Sequence, residues 1–229
     1  MKITYLSHSC ILIETGEHRL LVDPFLTGNP LATVDAASVD CDYIAITHGH
    51  DDHVGDAGDI ARRTGATIIA NYEIATYFGS QGLKAHGMYH GGKWQFPFGT
   101  AKMVLAHHGS GYSGGNEGPL RYMGSPAGFV FTIEGKNIYH AGDTCVFLEM
   151  ELIGRMHPLE AAFLPIGDNF TMGIDEATEA VKLLKPRKVV PIHYNTWELI
   201  AVDPQAFAAR AREAGAEPVV LAPGASLEL

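Results

Sequence analysis

Apolar positions at the start of the chain come in short runs broken by polar turns. Ile3 to Ser7, Cys10 to Thr15 and Arg19 to Asp23 read as three strands, parted by Ser9 and by a turn around Gly16-Glu17. Spacers this short predict an antiparallel meander. Asp23-Pro24 ends the third strand, because the residue before proline avoids helix and proline has no backbone donor. Beyond the loop at Gly28-Asn29-Pro30, Tyr43 to Thr47 is a further β-branched and apolar strand. Residues 53–64 predict a helix, weakened by Gly55 and Gly58; Ala66 to Ala70 predicts a strand, and Tyr72 to Phe78 a short helix.

The middle of the chain is richer in strands. Gly99 to Ala106 and Ala127 to Thr132 fit the strand pattern, and Lys136 to Tyr139 returns from a hairpin at Gly135. Gly109 to Pro119 carries so much glycine that a mobile rim is expected there. Without Gly-Lys-Ser/Thr it is no standard phosphate loop. The last third alternates regularly: helix 146–156, strand 161–166, helix 174–184, strand 188–192, helix 204–214 and strand 218–221. A βαβ rhythm after a meander favours a mixed-sheet sandwich over an all-β barrel. Both halves combine hairpins with βα units, but no internal sequence repeat is strong enough to assert.

Composition narrows the partners. With 229 residues, 46% of them hydrophobic and 18% charged, one large domain spanning 1–229 is expected, with ample material for a core. A formal charge of −10 argues against binding a nucleic-acid backbone, which needs a basic surface. A small-molecule partner is expected, and an anionic one is compatible if metals reverse the local sign. No apolar run approaches the ~20 residues of a membrane-crossing helix. The N-terminal residues enter strand-like sequence directly, without the pattern of a secretory signal. Cys10, Cys41 and Cys145 are widely spaced and suit a reducing cytoplasm, each as a small core or half-buried residue. A homo-oligomer is compatible with all of this.

The densest chemical signal is Thr47-His48-Gly49-His50-Asp51-Asp52-His53, directly after a strand. His48 and His50 share a side if the segment stays extended, while Asp52 and His53 approach from the turn into a helix. Neutral imidazoles and carboxylates suit Zn²⁺, Fe²⁺ or Mn²⁺. Taken singly, His-X-His is more often a hydrogen-bonding pair and Asp52 a helix cap. Asp51 is expected to be solvated or to cap the helix.

His-X-His-X-Asp-His is the hallmark of the metallo-β-lactamase fold superfamily, which this sequence resembles over nearly its whole length. Leu21-Val22-Asp23-Pro24, Ala141-Gly142-Asp143-Thr144 and Leu164-Pro165-Ile166-Gly167-Asp168 make it similar to the metal-dependent hydrolases related to ascorbate-6-phosphate lactonase. The resemblance implies an α+β fold, a four-layer αββα sandwich with two mixed β-sheets between helices. It implies two divalent metal ions, zinc foremost, with manganese or iron as alternatives. One would be held by His48, His50 and His108, the last preferred to His107 because Gly109-Ser110 follows it. The other would be held by Asp52, His53 and His193, with Asp143 bridging both. Read alone, Asp143 could be a helix cap and His193 a locally bonded strand-end histidine.

Around this set, Asp23 could orient an imidazole or merely terminate its turn. His8 and His140 are more simply strand-end histidines than site residues. Asp168 could contact substrate or start a helix, and Asn195 could donate to substrate or close a turn. His86, His90 and Trp94 are candidates for the rim.

Two ions ~3.5–4 Å apart can share a water and make hydroxide at neutral pH. The expected function is therefore metal-dependent hydrolysis, which the resemblance narrows to a small lactone or related ester, with Asp52 and Asp143 as catalytic carboxylates. A phosphoesterase or phosphodiesterase is the chemical rival, and a metal-stabilised sensor or assembly module the non-enzymatic one. A nuclease, a secreted β-lactamase and a diiron oxygen or nitric-oxide reductase fit less well, the last because its relatives commonly carry glutamate where His50 stands.

Overall fold

Strand pairing in the computed structural model, which describes residues 1–115 and 118–229, gives two seven-stranded sheets. The first comprises β1 (Lys2–Ser7), β2 (Cys10–Glu14), β3 (Arg19–Val22), β4 (Tyr43–Ala45), β5 (Thr67–Asn71) and β6 (Ala85–Met88). The second comprises β7 (Lys93–Phe96), β8 (Gly99–Leu105), β11 (Ala127–Ile133), β12 (Lys136–His140), β13 (Leu159–Pro165), β14 (Lys188–Ile192) and β15 (Glu217–Pro218). The last strand, β16 (Ser226–Glu228), crosses back to pair with β1. A small ladder of β9 (Gly111–Tyr112) and β10 (Arg121–Tyr122) stands apart.

Each sheet begins with an antiparallel meander (β1-β2-β3, then β8-β11-β12) and continues in parallel strands. Both are thus mixed. Alternation along the strands supplies two faces. Ile11, Ile13, Val22 and Ala45 of the first sheet meet Phe129, Phe131, Phe163 and Val190 of the second in a dry interior. The outer face of the first sheet is covered by α1 (Asp51–Val54), α2 (Ala57–Thr64) and α3 (Tyr72–Ser80) through Val54, Ile60, Ile74 and Phe78. The outer face of the second is covered by α4 (Met150–Met156), α5 (Ile174–Leu184) and α6 (Pro204–Glu213). The result is the expected αββα sandwich.

Several boundaries differ from the sequence reading. The helix expected over 53–64 is two helices, because Gly55 takes φ 41° and turns the chain. A Cβ there would lie 2.3 Å from the Pro24 carbonyl oxygen. The helix expected from 146 starts at Met150, after a turn in which Met150 N donates to Phe147 O at 3.2 Å. β6 and β7 went unseen since they are edge strands; Lys93, Trp94 and Gln95 are all exposed and show no alternation. Strand 218–221 shrinks to Glu217–Pro218.

Cys10 and Cys41 are buried, but Cys145 is exposed, contrary to expectation; all three are free thiols. Asn116 and Glu117, in the glycine-rich stretch expected to be a mobile rim, lie outside the described residues. Among the described residues no helix is long and apolar enough to cross a membrane.

Candidate metal centre

Six chain segments converge at the C-terminal ends of strands from both sheets. His8 follows β1, Asp23 follows β3, and the His48–His53 segment follows β4; His108, Asp143 and His193 follow β8, β12 and β14. Because these strands end at the same edge of the sandwich, residues far apart in sequence meet in one cleft of about 430 Å³. The two sheets are tied there: His193 N donates to His8 O at 2.8 Å. His8, Asp23 and His193 all take positive φ (55°, 45° and 53°), a conformation non-glycine residues adopt at a cost of roughly 1 kcal/mol or more. The strain is concentrated where side chains must be thrown sideways off a strand end.

Donor atoms cluster within 4.8 Å of one another in three overlapping groups: His48, His50 and His108; His48, His53 and Asp143; and His8, Asp52, His53 and His193. Asp143 sits at their junction. Its Oδ2 lies 3.5 Å from His108 Nε2 and 3.1 Å from His193 Nε2, and its Oδ1 lies 3.2 Å from His53 Nε2. Gly142, with φ 62°, lets this loop cross Thr47; a Cβ would come within 2.8 Å of the threonine side chain.

Hydrogen bonds fix which imidazole nitrogens are bare. Thr47 Oγ1 gives its single proton to Asp23 Oδ2 at 2.7 Å, so the His48 Nδ1 3.0 Å from it must be a donor. His48 Nε2 then carries a lone pair, aimed at the cluster beside His50 Nδ1 (3.0 Å). His53 Nδ1 donates to Asp23 Oδ2 at 2.8 Å, which turns its Nε2 inward as the nitrogen open to a proton or a cation. Asp23 also accepts from Thr47 N at 2.8 Å. The carboxylate expected to orient one imidazole thus orients two, His53 directly and His48 through Thr47.

His8 behaves differently. Its Nε2 faces Asp52 Oδ2 at 3.1 Å and its Nδ1 faces Thr196 Oγ1 at 2.8 Å. A carboxylate only accepts, so Nε2 carries the proton and points it at Asp52. His8 supports Asp52, and has no lone pair to spare for a cation. His140 lies behind the cleft, donating from Nε2 to Ser9 O (2.9 Å) and accepting at Nδ1 from Gly142 N (3.2 Å). It braces the loop that carries Asp143.

Electrostatics follow from this crowding. Burial drives down the pKa of His48, His50 and His108, keeping those imidazoles neutral. Burial also lowers His8, to about 4. For His193 burial is outweighed by Asp143 and Asp52, which raise it to about 9, and His53 is raised in the same way by Asp143, Asp23 and Asp52. Burial pushes the carboxyls of Asp52 and Asp143 upward, but the neighbouring histidines win and hold both ionised.

The residues fit a divalent cation. His53 Nε2 and Asp143 Oδ1 are buried and 3.2 Å apart, yet neither makes a hydrogen bond. Two orphaned donor atoms facing each other in a dry site cost stability unless a proton or cation lies between them. Imidazole and carboxylate together are the donor set of zinc, iron and manganese sites.

Other expectations resolve plainly. His107 packs its ring on Phe147, with centroids 4.9 Å apart, and leaves His108 as the residue that reaches the cluster. Asp51 ties down the glycine-rich segment, accepting from Ser113 Oγ at 2.6 Å and Gly114 N at 2.9 Å. Asp168 and Asn195 do not line the cleft. Asp168 accepts from Asn169 N and Asn195 from Val202 N, each at 2.8 Å, so both serve their own loops. His90 donates to Pro126 O, and His86 packs on Trp94, both away from the cleft lining.

Sequence reasoning missed Thr47, Thr196, and the cleft walls Phe170, Trp197 and Leu199. Thr47 sits beside the histidine motif and was open to notice; the walls lie on loops without periodicity. Larger hollows of about 610 Å³ exist, one between α5 and α6, but among the described residues none of the donor clusters lies there.

A family model described as a β-lactamase superfamily domain matches residues 2–193. A metal-dependent hydrolase of the UPF0173 group from Pelotomaculum thermopropionicum is 50% identical over 230 residues, covering 100% of both chains. Its counterpart in Bacillus subtilis is 49% identical over 208 residues, 91% of this chain and 92% of the relative. Among solved structures, a metallo hydrolase from the archaeon Ignicoccus hospitalis superposes with a TM-score of 0.89 at 36% identity, over 100% of this chain and 98% of that one. With the motif, the sandwich and the donor clusters already in place, these likenesses make the chain a member of the UPF0173 metal-dependent hydrolases, within the metallo-β-lactamase superfamily.

Proposed function

We propose that the cleft hydrolyses a small lactone or related ester with the help of two divalent cations, zinc foremost and manganese or iron as alternatives. His48, His50 and His108 would hold one and Asp52, His53 and His193 the other, with Asp143 between them. When bound, such ions polarise a carbonyl group and activate water for attack at neutral pH. Water adds to the carbonyl carbon, the ring C–O bond breaks, and the ring oxygen takes up a proton to leave a hydroxy acid.

The chain's own residues set up this step. Asp143 anchors the junction of the two histidine groups, and its low pKa keeps it an acceptor at neutral pH. Asp52, a quarter exposed at the cleft and held by His8, is placed to pass a proton toward the leaving oxygen. The carrying observation is that one buried carboxylate, Asp143, touches histidines of both groups. The phosphoester rival is weakened because no Lys or Arg is among the described residues lining the cleft. Three free thiols support a cytoplasmic setting.

Turnover of γ-butyrolactone, bis(p-nitrophenyl) phosphate and a β-lactam by the metal-loaded protein is the test. Saturable, chelator-sensitive lactone hydrolysis that vanishes in His48→Ala and Asp143→Ala is expected. Undiminished activity in both variants rejects the mechanism, and faster phosphodiester turnover rejects the substrate class.

A further inference from the structure

Floor and wall of the cleft differ in chemistry. The floor is His50, Asp52, His108, Asp143 and His193; the wall is Phe170, Trp197 and Leu199. These three large apolar side chains are 50%, 38% and 67% exposed, so the fold leaves their surface in water at a cost. Single exposed apolar residues are ordinary, but three grouped over one polar floor mark a binding surface.

Two clasped loops hold this wall in place. Phe170 sits in a tight turn after Asp168 and Asn169, which both take positive φ (60° and 48°). Asp168 O accepts from Phe170 N and, at 3.2 Å, from Thr171 N, while Asp168 N donates to Met172 O at 3.0 Å. Backbone strain is thus used to present an exposed aromatic ring. The second loop is closed by Asn195, whose N donates to Ile200 O and whose Oδ1 accepts from Val202 N, each at 2.8 Å. It carries Trp197 and Leu199, and the buried Ile200 anchors it. Trp197 rests against His8 and Phe25, with ring centroids 5.0 and 5.9 Å apart. An indole already packed on one side loses little freedom when a ligand covers the other.

We propose that the site selects uncharged substrates bearing a flat apolar group on the leaving-oxygen side of the scissile C–O bond, seated against Trp197, Phe170 and Leu199. This rests on the lactone or ester reading above and names its substrate class. A phosphorylated sugar lactone fits poorly. Its phosphate would leave water without meeting a Lys or Arg among the described lining residues, and its hydroxyls would face three side chains unable to bond them, apart from the indole N–H. Asp168 and Asn195 become positioning residues for the wall.

The test separates binding from turnover. The chain has two tryptophans, so in a Trp94→Phe background the fluorescence of the metal-loaded protein reports Trp197 alone. 5-Phenyl-2-pyrrolidinone, a lactam analogue, should bind about tenfold (~1.4 kcal/mol) tighter than 2-pyrrolidinone, and Phe170→Ala should narrow that preference to about threefold or less. Equal affinities, or a preference untouched by both Phe170→Ala and Leu199→Ala, overturn the proposal. In turnover, kcat/KM should favour γ-phenyl-γ-butyrolactone over γ-butyrolactone and over 6-phosphogluconolactone; a preference for the phosphorylated lactone overturns it as well. Tight phenyl-lactam binding with no lactone turned over defeats the reaction reading and leaves the selectivity standing. Turnover without a phenyl preference does the reverse.

Discussion

Asp23 accepts the Nδ1 proton of His53 at 2.8 Å, with both side chains fully buried. The same carboxylate takes the hydroxyl proton of Thr47, which obliges His48 to donate to that hydroxyl. One residue that touches no cleft surface therefore sets the tautomers of two candidate ligands, one in each half of the site. Partners of this kind typically change metal affinity about 10–100-fold when removed. Asp23→Asn should lower affinity at both positions by that order, because its amide keeps a similar shape but loses the charge. Chelator competition on the variant would check this; loss confined to one ion would mean that the Thr47 link is unimportant.

His8 supports the other candidate carboxylate ligand. Its Nε2–H aims at Asp52 while Thr196 fixes the opposite nitrogen. His8→Ala should weaken one ion by about tenfold or more and leave the other bound, giving two-step release under a chelator. His8→Gln, which retains an N–H donor, should restore part of the affinity. Were His8 itself a ligand, glutamine would rescue little and the first step of release would be near complete without added chelator.

The strand pattern and the histidines and aspartates that meet in the cleft were largely legible in the sequence, the αββα layering and the choice of His108 only through the family resemblance. A meander announces itself by short apolar runs, and a histidine motif at a strand end has few other uses once Asp143 and His193 complete it. The break at Gly55 was hidden because its cause, the Pro24 carbonyl, lies 31 positions earlier in the chain. The role of Asp168 was invisible for a related reason: its side chain and carbonyl serve the turn presenting Phe170, a local fold with no hydrophobic period. Trp197 reads as an ordinary aromatic until His8 and Phe25, from the other end of the chain, are seen against it.

Gly142 offers a test of how tightly the Asp143 loop is specified. Alanine there would carry a side chain at φ 62° and place its Cβ 2.8 Å from the Thr47 Cβ, close to the proton relay that orients His48. A destabilisation of about 1–3 kcal/mol is expected from the backbone conformation alone. For a chain of this size that corresponds to a fall in Tm of roughly 2–12 °C. Metal occupancy should fall with it, as Asp143 is displaced. A variant with wild-type Tm and full occupancy would show that the loop has a second acceptable path.

Protons and metal compete for the same atoms, which gives stability a pH signature that depends on loading. In the metal-free protein His193 is raised from its ordinary value of 6.5 to about 9, and His53 is raised too. Groups raised on folding contribute stability that is complete below 6.5 and is lost as pH climbs through the folded value. His8, lowered to about 4, and His48 act in the opposite sense and cost stability only as pH drops below 6.5. Between 6.5 and about 9 the raised histidines govern, so Tm in the presence of EDTA should decline across that window. Saturating Zn²⁺ should flatten the decline, because the roughly tenfold gain in apparent metal affinity per pH unit for each displaced proton offsets the stability that the metal-free fold loses as those protons leave. Thermal melts at half-unit pH steps, with and without zinc, would read both slopes. Parallel curves would mean that the histidines beside Asp143 are not where metal and protons exchange.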